Sequence, residues 1–336
     1  MSRRDYDEDD VRVRPRPGSR PRTKDRPGHA GAAEGFVVAV DRGRYTCVLD
    51  GRTVTAMRAR ELGRRSVVVG DRVALVGDAS GGAGTLARIV RIEQRRSTLR
   101  RTADDTDPVE RIVVANADQM VIVMSLAYPE PVPRLVDRCL VAAFDAALDP
   151  LLCLTKADLA RADDLIGVYA PLGVDHVVLG RAAPGEHRLT GLEALRARLA
   201  ERVSVLVGHS GVGKSTIVNQ LVPAAARRTG EVSAATGRGR HISSSAVALP
   251  LNSRGWVVDT PGLRSFGLAH VATDSVLEAF PELYAAAERC PTDCSHIGAD
   301  MAECALDDAV REGSATAERL ASLRRLLEVR ATADGE

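Results

Sequence analysis

Val203-Ser204-Val205-Leu206-Val207 runs directly into Gly208-His209-Ser210-Gly211-Val212-Gly213-Lys214-Ser215. The first five residues read as a buried strand, and Thr216 to Leu221 continue with helix-compatible spacing. The eight residues between fit G-x-x-x-x-G-K-[ST] at every fixed position, in the strand–loop–helix setting that a phosphate cradle needs. Glycines at 208, 211 and 213 let backbone N–H groups approach phosphate oxygens without obstruction. The helix N-terminus adds a dipole that favours anions. Lys214 is placed to neutralise β- and γ-phosphates, and the Ser215 hydroxyl to ligate magnesium. The cradle as read comprises Gly208, His209, Ser210, Gly211, Val212, Gly213, Lys214, Ser215 and Thr216.

Two shorter motifs flank it. Thr155-Lys156-Ala157-Asp158 follows the apolar run Leu151 to Leu154, and Asp259-Thr260-Pro261-Gly262 follows Trp256-Val257-Val258. A carboxylate at Asp158 can accept hydrogen bonds from both the ring N–H and the exocyclic amine of guanine. Adenine lacks that donor pair, so this residue favours GTP over ATP and argues against a P-loop ATPase or kinase. Asp259 is read as holding magnesium through water, and the Gly262 N–H as meeting the γ-phosphate. Taken singly, T-K-x-D is a weak signal and D-T-P-G is equally a turn. Together, each at the end of an apolar run, they describe a guanine-nucleotide site. Their order is unusual: the guanine motif precedes the P-loop, whereas in ordinary GTPases it comes last. Of 46 basic residues only Lys24, Lys156 and Lys214 are lysine, and two of these fall inside the motifs. A compact ammonium fits between phosphates where a planar guanidinium does not.

A length of 336 residues suggests two or three domains, and 45% apolar with 27% charged residues is ordinary for a globular chain. Aromatics are only 3%, so the cores must rest on Val, Leu, Ile and Ala. Net charge is +1 but unevenly spread: 13 Arg face 7 acids over 32–100, and 6 Arg face 14 acids over 271–336. No apolar run approaches the roughly 18 residues of a membrane span, and the N-terminus carries no apolar signal core. Six cysteines beside a cytosolic type of nucleotide site are expected to be reduced.

The organisation expected is a disordered basic tail over 1–31, an OB-fold β-barrel over 32–98, a circularly permuted α/β P-loop domain over 99–270, and a helical zinc-binding domain over 271–336. The barrel rests on five short strand-like runs and on Asp50-Gly51, a strong hairpin turn. Its arginine excess makes it a candidate RNA-binding module; a solvated structural barrel is the plainer alternative. The α/β domain rests on apolar runs at Asp118–Ser125, Leu151, Val177, Val203 and Trp256, with helical stretches between them. Cys290, Cys294, His296 and Cys304 supply three thiolates and one imidazole, a closed tetrahedral zinc set. The plainer alternative is a chance cluster of small buried residues.

The rotated motif order, a barrel in front and a Cys3His set behind resemble the small-ribosomal-subunit biogenesis GTPase family RsgA (YjeQ). Gly70-Asp71-Arg72-Val73, Val114 to Gln119, Gly239-Arg240-His241 and Phe266-Gly267-Leu268 are also similar to that family. The resemblance implies a cytoplasmic, monomeric GTPase that binds GTP and GDP with Mg2+ and one structural Zn2+. It implies stimulation by the small (30S) ribosomal subunit during late maturation and contact with 16S rRNA, with no membrane or DNA partner. Leu263 stands after D-x-x-G, where Ras-like enzymes carry a water-orienting glutamine, and the family's switch-loop histidine matches His241. A magnesium-ligating hydroxyl is implied in the run Ile242-Ser243-Ser244-Ser245, with Ser243 the candidate. The chain departs from the family in those serines, in the spacing C-x3-C-x-H-x7-C, and in having no Ser-Ala guanine-supporting loop near Val178 to Arg181. The alternative reading is a nucleotide-switched RNA-binding assembly protein whose hydrolysis is incidental.

Overall fold

The computed structural model describes residues 29, 31–63, 66–102, 110–183, 185–186, 188–223, 246–260, 268, 271–292, 294–298 and 304–332. The chain divides into Met1–Ala32 and Ala33–Glu336, and the architecture below is that of the second unit. The expected tail lies outside the described residues apart from His29 and Gly31.

The first five strands are β1 (Ala33–Asp41), β2 (Arg44–Leu49), β3 (Arg52–Arg58), β4 (Arg72–Gly77) and β5 (Ala87–Ile92). They pair in the order β1-β2-β3-β5-β4, and β4 returns to β1 to close the barrel. All contacts are antiparallel except β3 with β5, the pairing scheme of an OB-fold. Asp50 and Gly51 have φ of 48° and 76°, the two positive values that a two-residue hairpin turn requires. Arg42-Gly43 makes the same turn between β1 and β2, with φ of 44° and 84°. Val37, Cys47, Val54, Ala56, Val73, Leu75 and Ile89 fill the interior.

A hairpin of β6 (Thr98–Thr102) and β7 (Glu110–Ala115) then leads into β8 (Gln119–Ser125), α1 (Pro133–Asp145), β9 (Asp149–Thr155), α2 (Asp163–Tyr169) and β10 (Asp175–Val178). The short pair β11 (Gly180–Arg181) and β12 (Leu189–Thr190) precedes α3 (Leu192–Leu199), β13 (Val203–Val207), α4 (Lys214–Leu221), β14 (Val247–Pro250) and β15 (Trp256–Asp259). The sheet order is β10-β9-β8-β13-β15-β14, parallel except for β14. Both faces are covered, so the strands are mostly apolar, as buried parallel strands are. Met120, Ile122, Leu152 and Val205 face α1. Val121, Val123, Leu206 and Val257 face α3 and α4. The C-terminal lobe, α5 (Thr273–Leu277), α6 (Pro281–Ala287), α7 (Ala305–Arg311) and α8 (Ala317–Thr332), packs on the α1 side. Among the described residues no helix is long and apolar enough to cross a membrane.

Barrel and α/β sheet are joined through backbone. Ala39 of β1 pairs with Val247 of β14, making the two sheets continuous. Phe36 and Trp256 meet with ring centroids 5.0 Å apart. Gly70 adopts φ 91°, and a Cβ there would stand 1.9 Å from the Ala115 carbonyl oxygen. The Asn116 side chain donates to Gly70 O at 2.9 Å and accepts from Arg96 N at 2.9 Å. Beside it Asp71, fully buried, takes Arg95 on both oxygens at 2.7 and 2.8 Å and the Val68 N–H at 2.8 Å. The Gly70-Asp71 and Val114 to Asn116 segments, both singled out in the sequence, are thus the two sides of one joint. We expect Gly70→Ala to cost roughly 2–4 kcal/mol, because it adds left-handed strain to a backbone clash. Denaturant unfolding of the whole chain measures this, and an unshifted midpoint would contradict the joint.

Candidate functional site

In a parallel sheet all strands end on one edge, so residues far apart in sequence share one rim. Leu206 of β13 pairs with Asp259 of β15, Val207 with Ile122 of β8, and Ser125 of β8 with Thr155 of β9. The P-loop after β13, the guanine motif after β9 and Asp259 therefore converge, although their order along the chain is rotated.

Gly208, Gly211 and Gly213 take φ of 145°, 81° and 103°, all disfavoured for side-chain-bearing residues. A Cβ at Gly208 would lie 2.3 Å from the Val123 carbonyl oxygen, so the loop can turn there only with glycine. Gly213 caps α4, which begins at Lys214. The Lys214 ammonium donates to Gly208 O and, at 2.7 Å, to His209 O, inside the loop's own curve. Ser215 and Thr216 stand in the first turn of α4, both exposed. Burial holds the half-buried Asp259 carboxyl above its ordinary pKa, opposed by the Lys214 ammonium and the Thr260 N–H. Thr260 is buried and donates to Leu206 O at 3.0 Å.

The guanine motif is locked to the P-loop. Thr155 is buried, and its hydroxyl donates to Val212 O at 2.6 Å. Lys156 adopts a left-handed φ of 61° and donates to Tyr128 O. Asp158 is exposed at the rim, and one carboxylate oxygen accepts the Arg181 N–H at 2.9 Å. Ala157 N bonds to Leu179 O at 3.0 Å. The stretch Leu179 to Arg181 therefore supports the T-K-x-D segment through backbone groups. Gly262, His241 and Ser243 lie outside the described residues, as does Leu263.

On the far side of α1, the ligand atoms of Cys290, Cys294, His296 and Cys304 all lie within 4.8 Å of one another. The N–H of Ala305 points at Cys290 Sγ at 3.2 Å. Burial, with Cys304 and Cys294 close by, pushes the Cys290 thiol up to about 11, and burial lowers the His296 imidazole pKa, which favours its neutral form. Crowded thiols beside a neutral imidazole form a soft donor set compatible with zinc. Cys47, Cys139 and Cys153 are buried elsewhere, each pushed up to about 12 by burial, and behave as core residues.

Comparison with known proteins agrees with this geometry. A family model described as RsgA GTPase matches residues 92–269. A small ribosomal subunit biogenesis GTPase RsgA from Ectopseudomonas mendocina is 42% identical over 222 residues, 64% of this chain and 62% of that protein. The protein of the same name from Gemmatimonas aurantiaca is 37% identical over 286 residues, 84% of this chain and 89% of that one. The chain belongs to the RsgA GTPase family. The crystal structure of YjeQ from Thermotoga maritima matches with a TM-score of 0.63 at 25% identity, covering 89% of this chain and 98% of that one. YloQ, described as a circularly permuted GTPase, shares the fold with a TM-score of 0.62 at 22% identity, covering 92% and 98%. This chain is accordingly a GTPase with rotated motif order, a five-stranded barrel and a Cys3His cluster.

Sequence reasoning missed three parts of the site: Arg181 behind Asp158, Tyr128 beneath Lys156, and the bond that Thr155 makes. The first two act through backbone atoms and leave no side-chain signature. The third is visible in sequence as a motif position but not with its partner. Thr155→Val removes the only hydroxyl donor described on Val212 O while keeping the shape. We expect a loss of roughly 1–3 kcal/mol in nucleotide affinity or stability, measured by fluorescent GDP binding and thermal unfolding. No change in either would show that the two loops are held by other means.

Proposed function

We propose that this GTPase works on the small (30S) ribosomal subunit during its late maturation, in the cytoplasm and as a monomer, hydrolysing GTP to GDP and phosphate when the subunit stimulates it. One observation carries the reading: Asp158, Lys214 and Asp259 converge on one rim, attached to a basic barrel, in a chain whose relatives are named for small-subunit biogenesis. In this reading Thr155, Lys156 and Asp158 bind the base, and Gly208 to Thr216 hold the phosphates. Lys214 leaves the carbonyls of Gly208 and His209 for phosphate oxygens, and the Gly262 N–H meets the γ-phosphate. The oxygens of Ser215, Asp259 and a switch-loop serine, Ser243 in our reading, suit magnesium, which neutralises the phosphates when bound. His241 orients the attacking water in place of the missing glutamine. The Cys3His cluster holds one structural zinc.

The partner surface we propose is 16S rRNA. Between the barrel and the β6–β7 hairpin runs a groove of about 1070 Å³ lined by Arg58, Arg95, Arg100 and Arg111, with Glu93 the one acid among its described lining residues. Arginines over an apolar floor suit a phosphate backbone recognised by shape. The module limits at residues 98 and 270 belong to the same proposal.

Two measurements test it. Asp158→Asn presents an amide donor where guanine needs an acceptor, and should cost roughly 2–5 kcal/mol of GTP affinity while relaxing discrimination against xanthine nucleotides. Unchanged GTP affinity removes Asp158 from the base site. His241→Ala should retain GTP affinity but lower turnover with saturating small subunits by roughly ten- to a thousandfold. Turnover at the wild-type rate removes His241 from catalysis, and a wild-type chain that subunits do not stimulate removes the ribosomal reading.

A further inference from the structure

Arg324 on α8 is half-buried against the Cys3His cluster, with its side chain 15% exposed. It reaches both halves of the ligand set. Its Nε donates to the carbonyl of His296 at 3.2 Å. Its two terminal nitrogens grip Asp307 in a fork, at 3.0 and 2.7 Å. Asp307 lies in the first turn of α7, whose cap is the ligand Cys304, and its N–H bonds to Cys304 O at 3.1 Å. One planar guanidinium therefore joins the Cys290–His296 limb to the Cys304 limb. The first limb needs holding, because His296 sits at a left-handed φ of 60°, a conformation disfavoured for a residue that carries a Cβ. Electrostatics agree in sign. Three thiolates and a neutral imidazole around a divalent cation leave a net negative centre, and Arg324 is the cation that interacts with Cys304 as well as with Asp307. Asp274 faces His296 from α5.

We propose that Arg324 is a positioning residue of the metal centre: it fixes His296 and Cys304 relative to each other, balances the charge of the loaded site, and so slows metal loss. This rests on the reading of the cluster as a zinc site. Outer partners that orient metal ligands typically change affinity by ten- to a hundredfold when removed. A lysine keeps the charge but cannot span the fork.

The test uses full-length protein in wild-type, Arg324→Ala, Arg324→Lys and Arg325→Ala forms, assayed for zinc content and for the rate of zinc transfer to excess chelator. Arg324→Ala is expected to release zinc roughly ten- to a hundredfold faster than wild type, and Arg324→Lys at an intermediate rate. Arg325 pairs with Asp137 of α1 instead, so Arg325→Ala loosens α8 on its other side and should release zinc at about the wild-type rate. Cobalt-substituted Arg324→Ala should show an altered visible ligand-field spectrum, which a purely structural role would leave unmoved. Wild-type release and an unaltered cobalt spectrum in Arg324→Ala overturn the proposal while the zinc reading stands. A wild-type chain without zinc overturns the zinc reading itself. Should Arg324→Ala not load, Asp307→Asn, which frees the fork but retains the arginine, decides by the same rate: faster release supports the role, and equal release rejects it.

Discussion

The nucleotide cleft depends on one buried hydrogen bond, from Thr155 Oγ1 to Val212 O. The P-loop turns sharply through three glycines at positive φ, and such a loop has little conformational stiffness of its own. It is held from below, where Gly208 presses on the Val123 carbonyl, and from the side, where Thr155 fastens its far end. Since Thr155 begins the T-K-x-D motif, the same bond sets the distance between that motif and the P-loop. Lys156 and Asp158 then build outward from this anchor, through Tyr128 O and Arg181 N. A ligand that touches both ends meets a spacing fixed in advance, which is how preorganisation reduces the ordering cost of binding.

Rotating the order of the motifs leaves that arrangement intact, and the reason lies in sheet geometry. What a nucleotide meets is the order of strands in space, β9-β8-β13-β15, not their order along the chain. Apolar runs ending in Lys156, Gly208 and Asp259 were therefore enough to read the sheet and the cradle from sequence, since each motif marks a strand's carboxyl end. Asp50-Gly51 was legible for a similar reason: its two residues carry the backbone angles of the turn. The β6–β7 hairpin was not legible. Its strands begin at Thr98 and end at Ala115, rich in arginine and short of alternating apolar residues. Nor was the Ala39–Val247 pairing, because an edge contact made by backbone alone has no side-chain code.

The joint between barrel and sheet shows how a pattern can be noticed without being understood. Gly70, Asp71 and Asn116 stand out in sequence only by resemblance. In the structure each acts through a definite contact. Gly70 yields room to the Ala115 carbonyl, Asp71 buries its charge against Arg95, and Asn116 closes the gap with its amide. A buried ion pair of this kind is weak support for stability, since desolvation offsets most of its Coulomb gain. Its bidentate geometry favours a different role, fixing one orientation of Arg95 and with it one wall of the basic groove.

Adjacent arginines on α8 extend the same logic to the C-terminal lobe. Successive helical residues point about 100° apart, so Arg324 and Arg325 must serve different neighbours. Arg324 turns to the Cys3His limbs, and Arg325 meets Asp137 at 3.3 Å and lies over the Tyr169 ring at 5.5 Å. Burial raises the Asp137 pKa, with Arg325 and the Tyr169 hydroxyl opposing, so the pair lies in largely apolar surroundings. What holds it is the apolar seam of Leu320, Leu323 and Leu327 against α1 and its neighbours. Helix α1 in turn follows the Tyr128-Pro129 segment that receives Lys156. A continuous run of packed helix thus links the Cys3His limbs to the Tyr128 carbonyl on which Lys156 rests.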